Sequence, residues 1–130
     1  MKQNLSILLF ALLFAFATIS AHEISLNNQL PEITNTHLVI DGRSQSGYNF
    51  HNPVIQINGQ EVLENGIIAT NNTVEIYGLL LKNFTSSAIS LNNNTLSVIE
   101  ENILTKSNEA INLLNSTQVK ISKNLYINNL

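Results

Sequence analysis

The sequence predicts an all-β solenoid, a coil of short parallel strands, and two observations support that prediction. The first is a phrase that returns at a fixed step of 22 in the numbering: Asn71-Asn72-Thr73, Asn93-Asn94-Thr95 and Asn115-Ser116-Thr117. The second is that apolar and polar residues alternate between these phrases, as in strands with one buried face. A unit of this length is too short for its own core, so each unit must bury its apolar face against its neighbours.

Short strand-forming stretches alternate with asparagine-rich turns in each unit. The stretches share apolar residues at every second position: 67–69, 74–76, 89–91, 96–98, 111–113 and 119–121. Residues 22–130 contain 20 asparagines, and asparagine favours turns because it tolerates left-handed backbone and bonds its own main chain. A further apolar column, Leu81, Ile103 and Leu125, keeps the same step. Three strands per unit fit a coil better than a sandwich.

Residues one repeat apart are expected to lie above one another, about 4.8 Å apart, as parallel strands do. We therefore predict a structural ladder of asparagine amides bonded to one another, with a threonine column beside it: Asn71, Asn93, Asn115, Thr73, Thr95 and Thr117. The predicted interior columns are Ile67/Ile89/Ile111, Val74/Leu96 and Ile76/Val98. The predicted outward residues of one sheet are Glu75, Ser97 and Lys120.

Two other repeat folds are the alternatives. A helical solenoid is disfavoured by the density of β-branched residues and by the asparagine clusters. A leucine-rich repeat has a period of roughly 20–29 residues, and Leu96-x-Val98 followed by Asn102 comes close to its motif. The first unit breaks that motif with Leu80, however, and each unit has several apolar pairs instead of one dominant strand.

Residues 1–21 have the layout of a cleavable signal peptide. Lys2 precedes an apolar run over 5–19, and Ser20-Ala21 supplies the small residues of a cleavage point. The run of roughly 15 residues is shorter than the ~20 that a spanning helix needs. We expect a secreted or cell-surface protein with no transmembrane span after cleavage.

The repeat pattern divides the remaining chain into two parts. Residues 22–65 hold the entry strands and first rungs, with a projecting loop at 43–52, and residues 66–130 hold three rungs. The pattern stops at Leu130 without a polar terminal unit, although solenoids need caps. This predicts a truncated β-helix, or self-association through the open C-terminal rung.

Charge and composition exclude several partners. Residues 22–130 contain 5 Lys and Arg against 9 Asp and Glu, a formal charge of 5 − 9 = −4, so nucleic acid is not an expected partner. The absence of cysteine excludes disulfides and thiolate metal sites. The histidines His22, His37 and His51 lack metal-ligand spacing. We therefore expect no metal and no cofactor.

A resemblance to a known superfamily adds to this pattern. The segments 30–33, 38–42 and 53–59 resemble the entry rungs, and the later units resemble the repeats, of right-handed parallel β-helix proteins of the pectin-lyase-like superfamily. The resemblance covers Ile24 to Leu130 and implies a right-handed parallel β-helix. That superfamily includes lyases, hydrolases, adhesins and binding proteins, so the likeness implies no single activity.

Catalysis is not expected within this chain. Hydrolysis of a glycosidic bond needs two carboxylates, and the resemblance implies clustered aspartates or an acidic calcium site with a nearby base. The chain has one aspartate, Asp41, in an Asp-Gly turn, while Glu100 and Glu101 need not converge and Arg43 stands alone in the sequence. The alternative is an N-terminal fragment of a polysaccharide lyase or glycoside hydrolase with its active site in missing downstream rungs.

The predicted function is that of a non-catalytic module that binds polysaccharide or an envelope surface. The aromatic residues available to stack on sugar rings are Tyr48, Phe50, Tyr77, Phe84 and Tyr126. The repeated Asn-x-Thr triplets also match glycosylation sequons. Because a ladder asparagine has no room for a glycan, we predict Asn83 of Asn83-Phe84-Thr85 as the accessible acceptor.

Overall fold

The computed structural model describes residues 21–130, which form an all-β parallel solenoid of about three turns with about 23 residues per turn. The predicted signal peptide lies outside the described residues, apart from Ala21. The strands are β1 (His22–Ser25), β2 (His37–Asp41), β3 (Ile55–Asn58), β4 (Ile67–Thr70), β5 (Thr73–Tyr77), β6 (Leu79–Lys82), β7 (Ser87–Asn92), β8 (Val98–Glu100), β9 (Ile103–Thr105), β10 (Glu109–Leu114), β11 (Lys120–Ser122) and β12 (Leu125–Ile127). A 3₁₀ turn, Gly42–Ser44, follows β2.

The strands stack into three parallel sheets. Their orders are β1-β3-β6-β9-β12, β2-β5-β8-β11 and β4-β7-β10. Strands β4–β6, β7–β9 and β10–β12 are three successive rungs, which we call rungs 1, 2 and 3. Ile89 pairs with Ile67 below and with Ile111 above, so the predicted column is confirmed. Three strands per turn distinguish the coil from a leucine-rich repeat, which has one strand per repeat.

The core is the column of side chains that points inward from all three sheets. Its central members are completely buried: Ala69, Val74, Ile76, Leu81, Ile89, Leu91, Ile99 and Leu104. Phe84, at the turn between rungs 1 and 2, is also buried and joins the same cluster. Each rung covers the inward side chains of the rung next to it, because parallel strands lie about 4.8 Å apart.

Two of the predicted interior columns are wrong. Ile76 pairs with Ile99 instead of Val98, and the backbone N–H of Val74 donates to Ser97 Oγ at 3.0 Å. The reason is one extra residue in rung 2: Leu96 adopts a left-handed φ of 54° and is 62% exposed. Ser97, which we expected on the outside, is therefore buried.

The one-residue offset between rungs 1 and 2 continues through the pairing of β6 with β9 and ends at the next turn. Leu81 pairs with Leu104 instead of Ile103, so that predicted column is also wrong between rungs 1 and 2. Ser87 pairs with Glu109, which restores the step of 22. The turn from Phe84 to Ser87 is thus one residue longer than the turn that follows Ser107. The two changes compensate, and the sequence period stays at 22.

Buried polar side chains connect each rung to the one before it. Asn102 is completely buried; its Oδ1 accepts from the backbone N–H of Leu79 at 3.0 Å, and its Nδ2 donates to the carbonyl of Ile76 at 2.9 Å. Asn124 repeats this one rung later, accepting from the Asn102 N–H at 2.9 Å and donating to the Ile99 carbonyl at 2.8 Å. These side chains satisfy backbone groups that the turns leave unpaired.

A second ladder runs through the asparagine-rich turns. It is formed by the middle residue of each repeated triplet and not by the first asparagine. Asn72 and Asn94 are buried and their amides contact at 2.7 Å, and Ser116 Oγ accepts from the Asn94 N–H at 3.1 Å. In these turns the left-handed residues are instead exposed: Asn71, Asn93 and Asn115, with φ between 50° and 55°. Their role is to form the corner, since asparagine tolerates this conformation.

The threonine column lies directly beside this corner. Thr73 Oγ1 donates to the Thr95 carbonyl at 2.9 Å, and Thr95 forms a parallel bridge with Thr117. Thr95 and Thr117 therefore lie above one another, and Thr73 contacts the Thr95 backbone.

Replacing Asn102 by alanine tests the ladder. We expect Asn102→Ala to lower the free energy of unfolding by about 3 kcal/mol, because the Leu79 N–H and the Ile76 carbonyl lose their buried partner. The control is Asn93→Gly, which removes an exposed amide at a left-handed position that glycine tolerates and which we expect to cost less than about 0.5 kcal/mol. Urea denaturation measures both; equal losses would contradict the ladder's role.

Candidate functional site

The outer face of the four-stranded sheet carries the densest group of charged side chains. We call it the charged face, and its members are His37, Asp41, Arg43, Glu75, Tyr77, Glu100, Glu101, Lys120 and Lys123. No pocket is present in the part of the chain that the structure describes. Over the same residues no group of three or more His, Asp and Glu side chains is arranged to hold a metal ion, and no helix is long and apolar enough to span a membrane.

Strand alternation and register arrange these side chains in rows. Asp41 pairs with Tyr77, and Tyr77 with Glu100, so these three side chains share one outward row across three strands. The neighbouring row contains Val39, Glu75, Val98 and Lys120. Residues within a row are spaced by one strand, about 4.8 Å. The face is therefore a flat grid.

Arg43 lies at the centre of the network, although it stands alone in the sequence. Its Nε and Nη2 donate to the two carboxylate oxygens of Asp41 at 2.9 and 2.8 Å, a bidentate pair. Its guanidinium carbon is 3.9 Å from the centre of the Tyr77 ring, a cation–π contact, and Nη1 is 3.9 Å from Glu101. The hydrogen bonds from Arg43 lower the pKa of the Asp41 carboxyl.

Gly78 allows the arginine to approach the sheet. Its φ is 65°, and a Cβ there would lie 2.5 Å from Arg43 Cγ and 3.0 Å from the Tyr48 ring. The Tyr48 hydroxyl donates to the Glu101 carbonyl at 3.4 Å. The loop at 43–52, which we expected to project, is thus held against the corner of rungs 1 and 2 by Arg43 and Tyr48.

Glu75 joins a histidine and a tyrosine on the same face. His37 Nε2 lies 2.8 Å from Glu75 Oε1, and the Tyr77 hydroxyl donates to Glu75 Oε2. Both contacts lower the pKa of Glu75, the tyrosine more than the histidine. The hydrogen bond to Glu75 raises the pKa of Tyr77 to about 12. Tyr77 therefore stays a neutral donor at physiological pH.

Two lysines of rung 3 project over Glu100. Lys120 Nζ and Lys123 Nζ lie 3.1 and 3.2 Å from its carboxylate oxygens, and these contacts lower the pKa of Glu100 to about 2. The lysine side chains are 60% and 66% exposed, whereas that of Glu100 is 12% exposed. The cations are thus the outermost groups of this part of the face.

The carboxylates of the charged face are anions and hydrogen-bond acceptors. A general acid in glycoside hydrolysis requires a carboxyl whose pKa is raised toward neutrality. The pKa values of Asp41, Glu75 and Glu100 are all shifted downward, so these groups are ionised at neutral pH. They and the projecting lysines offer charge-assisted hydrogen bonds to a polar ligand.

The candidate glycosylation site is only partly accessible. Asn83 is half-buried; its Nδ2 donates to Asn58 Oδ1 at 2.9 Å, and its Oδ1 is buried without a partner. The sequon asparagines Asn71, Asn93 and Asn115 are exposed. Glycosylation of Asn83 stays a prediction; it would replace one of the two hydrogens on Nδ2, the atom that donates to Asn58.

The predicted aromatic contacts are dispersed. Phe84 is part of the core and 2% exposed, while Phe50 is half-buried against His51, with ring centres 5.2 Å apart. Tyr126 pairs with the inward residue Leu104 and is 49% exposed. Of the five, Tyr77 and Tyr48 belong to the neighbourhood of the charged face, and Arg43 covers one face of the Tyr77 ring.

Sequence reasoning missed the grouping of Arg43 with Tyr77 and Glu101. A signal was present in Tyr77-Gly78 and Glu100-Glu101, which occupy equivalent corners: Gly78 and Glu101 are both left-handed, with φ of 65° and 59°. In both rungs a residue with left-handed backbone directly follows an outward-pointing residue. This is the place where the strand ends and the sheet face has its edge.

Comparisons with known proteins found no match to a family model, to a curated protein or to a solved structure.

Acid should weaken the fold through the charged face. Folding lowers the pKa of Glu100 from 4.5 to about 2. The ionised Glu100 carboxylate therefore stabilises the fold fully when the pH is above its ordinary pKa, and this stabilisation is lost as the pH falls toward 2. We expect the urea midpoint to decrease between about pH 5 and about pH 2. The double variant Lys120→Met/Lys123→Met should show a shallower decrease, because the cations that lower the pKa are gone.

Lys106→Met is the matched control for this titration, because Lys106 is exposed at a different corner. It should follow the wild-type curve. An unchanged slope in the double variant would show that Glu100 does not couple to the lysines.

Proposed function

We propose that this protein is a secreted or surface-associated, non-catalytic module that binds an extended polysaccharide or a cell-envelope surface through the charged face. In this proposal the solenoid is a right-handed β-helix related to the pectin-lyase-like superfamily. The observation that carries the proposal is the flat grid of ionised, tyrosine and valine side chains, in rows spaced by one strand.

A flat grid suits a long polymer better than a small molecule. Small-molecule sites are usually concave and enclose most of the ligand, whereas the charged face presents equivalent positions at a constant spacing of about 4.8 Å. A polysaccharide that crosses the strands contacts several of these positions at once. Affinity then accumulates from many weak contacts, as in multivalent binding.

The grid also combines polar and apolar groups in the way that a sugar chain requires. The row with Glu75 and Lys120 includes Val39, which is 49% exposed, and Val98, which is half-buried. The charged groups can bond sugar hydroxyls, and the valines can pack against the apolar faces of the rings. The bidentate Asp41–Arg43 pair holds the neighbouring row rigid, which reduces the entropy cost of binding.

The proposal is tested with the projecting lysines. Purified wild-type protein is applied to a glycan array and to a panel of insoluble polysaccharides and envelope preparations. For the polymer that binds best, we expect Lys120→Ala/Lys123→Ala to weaken binding at least about tenfold, because hydrogen bonds to charged groups contribute on that scale. Lys106→Ala, on another corner, should bind like the wild type.

Two results would contradict the proposal. One is that the wild-type protein binds none of the polysaccharides and none of the envelope preparations. The other is that the double variant binds as tightly as the wild type and the Lys106→Ala control.

A further inference from the structure

A lysine, an asparagine and a glutamate meet on the outer face of the five-stranded sheet. Lys82 of β6 pairs with Asn58 of β3, so these two outward side chains lie side by side at the ends of adjacent strands. Glu23 lies on β1, the strand on the other side of β3. The cluster is on a different sheet from the charged face and is independent of the proposed binding to polysaccharide.

The Glu23 carboxylate bridges the amine and the amide. Its Oε2 lies 2.7 Å from Lys82 Nζ, and its Oε1 accepts from Asn58 Nδ2 at 2.7 Å. These two contacts lower the pKa of the Glu23 carboxyl, so the group is ionised at neutral pH and can accept a proton. A group within hydrogen-bond distance of both nitrogens can carry a proton from one to the other.

The carbonyl of the same amide is polarised by two N–H donors. Asn58 Oδ1 accepts from the backbone N–H of Gln60 at 2.8 Å and from Asn83 Nδ2 at 2.9 Å. Both distances lie within the range of about 2.7–3.1 Å at which N–H groups stabilise an oxyanion. Negative charge that develops on Oδ1 when a nucleophile adds to Cγ therefore has two fixed donors.

The Lys82 amine is confined beside this carbonyl. Because the strand order is β1-β3-β6, the lysine side chain crosses β3 to reach Glu23, and its path passes over the Asn58 position. The Lys82 side chain is 23% exposed, against 60% and 66% for Lys120 and Lys123. Two reacting groups that are held together in this way react far faster than the same groups free in solution.

A competing nucleophile, the backbone nitrogen of Gly59, is held in another contact. In an Asn-Gly sequence the glycine nitrogen can attack the asparagine side chain and form a succinimide. Here the Gly59 N–H donates to the Lys82 carbonyl at 2.9 Å, and a Cβ at Gly59 would lie 2.5 Å from the Phe84 ring. The glycine is packed in place, so its nitrogen is not free to turn toward Asn58 Cγ.

We infer that Lys82 and Asn58 form an isopeptide bond, a covalent amide between their side chains, with Glu23 as the proton carrier. Glu23 takes a proton from the Lys82 ammonium, the freed Nζ lone pair bonds to Asn58 Cγ, and the carbonyl electron pair moves onto Oδ1, facing Gln60 and Asn83. Glu23 then donates its proton to Nδ2, and the Cγ–Nδ2 bond breaks as the carbonyl re-forms. Ammonia leaves and takes a second proton from Nζ, so one ammonium ion is released and the total charge is unchanged.

The bond joins the entry strand β3 to β6 of rung 1. The chain has no cysteine, so a disulfide cannot make such a connection. A covalent link between distant residues restricts the unfolded chain and thereby stabilises the folded one. The isopeptide bond thus fastens the start of the coil to its first regular rung.

Intact-mass spectrometry of the purified chain tests the bond. The wild-type protein, kept folded in mildly alkaline buffer, should lose the mass of one ammonia molecule, because a neutral amine is the nucleophile. After unfolding, trypsin should fail to cleave after Lys82. Residues 44–106 should then appear as one peptide that is lighter by one ammonia, since no other lysine or arginine lies between Arg43 and Lys106.

Two arginine variants are the matched pair for this measurement. Lys82→Arg keeps the cation beside Glu23 but lacks the amine, so it should retain its full mass. Lys120→Arg should lose ammonia like the wild type.

The rate of ammonia loss tests the assigned roles. Glu23→Gln removes the proton carrier and should slow the reaction at least about a hundredfold. Asn83→Gly removes one oxyanion donor at a left-handed position that glycine tolerates, and it should slow the reaction at least about tenfold. Circular dichroism confirms that each variant retains the β-sheet signal.

Several results would overturn the inference. One is an unchanged mass of the wild-type protein, and another is hydrolysis of Asn58 to aspartate. Ammonia loss that persists in Lys82→Arg, with trypsin still cleaving the wild type after Lys82, would identify a succinimide at Asn58-Gly59 instead. Equal rates in the wild type and in Glu23→Gln would contradict the role of the carboxylate.

Discussion

The whole coil depends on buried polar side chains that reach from one rung back to the rung before it. A parallel strand ladder pairs backbone groups along the strands, but each turn leaves N–H and carbonyl groups without strand partners. Asn102, Asn124 and Asn129 each accept from a backbone N–H and donate to a carbonyl of the preceding rung. The bonds from Asn102 to rung 1 are buried, where an unpaired polar group is costly, and those of Asn124 and Asn129 are partly buried. They therefore fix both the vertical alignment of the rungs and the position of each turn.

This constraint explains which parts of the fold were predictable from the sequence. The asparagine phrases and the Ile67/Ile89/Ile111 column keep a strict step of 22, and the structure places that column in register. Between β5 and β8 the step becomes 23, as the pairing of Ile76 with Ile99 shows. Leu96 adds a residue that the shorter turn after Ser107 removes again. A compensated insertion leaves the period unchanged, so the periodicity cannot reveal it.

The charged face was less predictable because it joins the repeat to the irregular entry segment. Asp41 pairs with Tyr77, a step much longer than the repeat, which no repeated phrase marks. Because β2 pairs with β5, Arg43 lies over Tyr77 and the loop of residues 43–52 contacts Gly78. Charged residues that are scattered in the sequence thereby become neighbours. The sequence placed Glu75 and Lys120 on the outside of one sheet, and the register decided which other residues lie beside them.

Hydrogen exchange of individual backbone amides measures how firmly the asparagine ladder holds the rungs. The N–H groups of Leu79 and Asn102 are bound by asparagine side chains instead of strand carbonyls. If the ladder holds the rungs together, these two amides should exchange as slowly as the strand amide of Leu81, in one cooperative unit. Exchange at the rate of an exposed turn amide such as that of Asn108 would contradict the account.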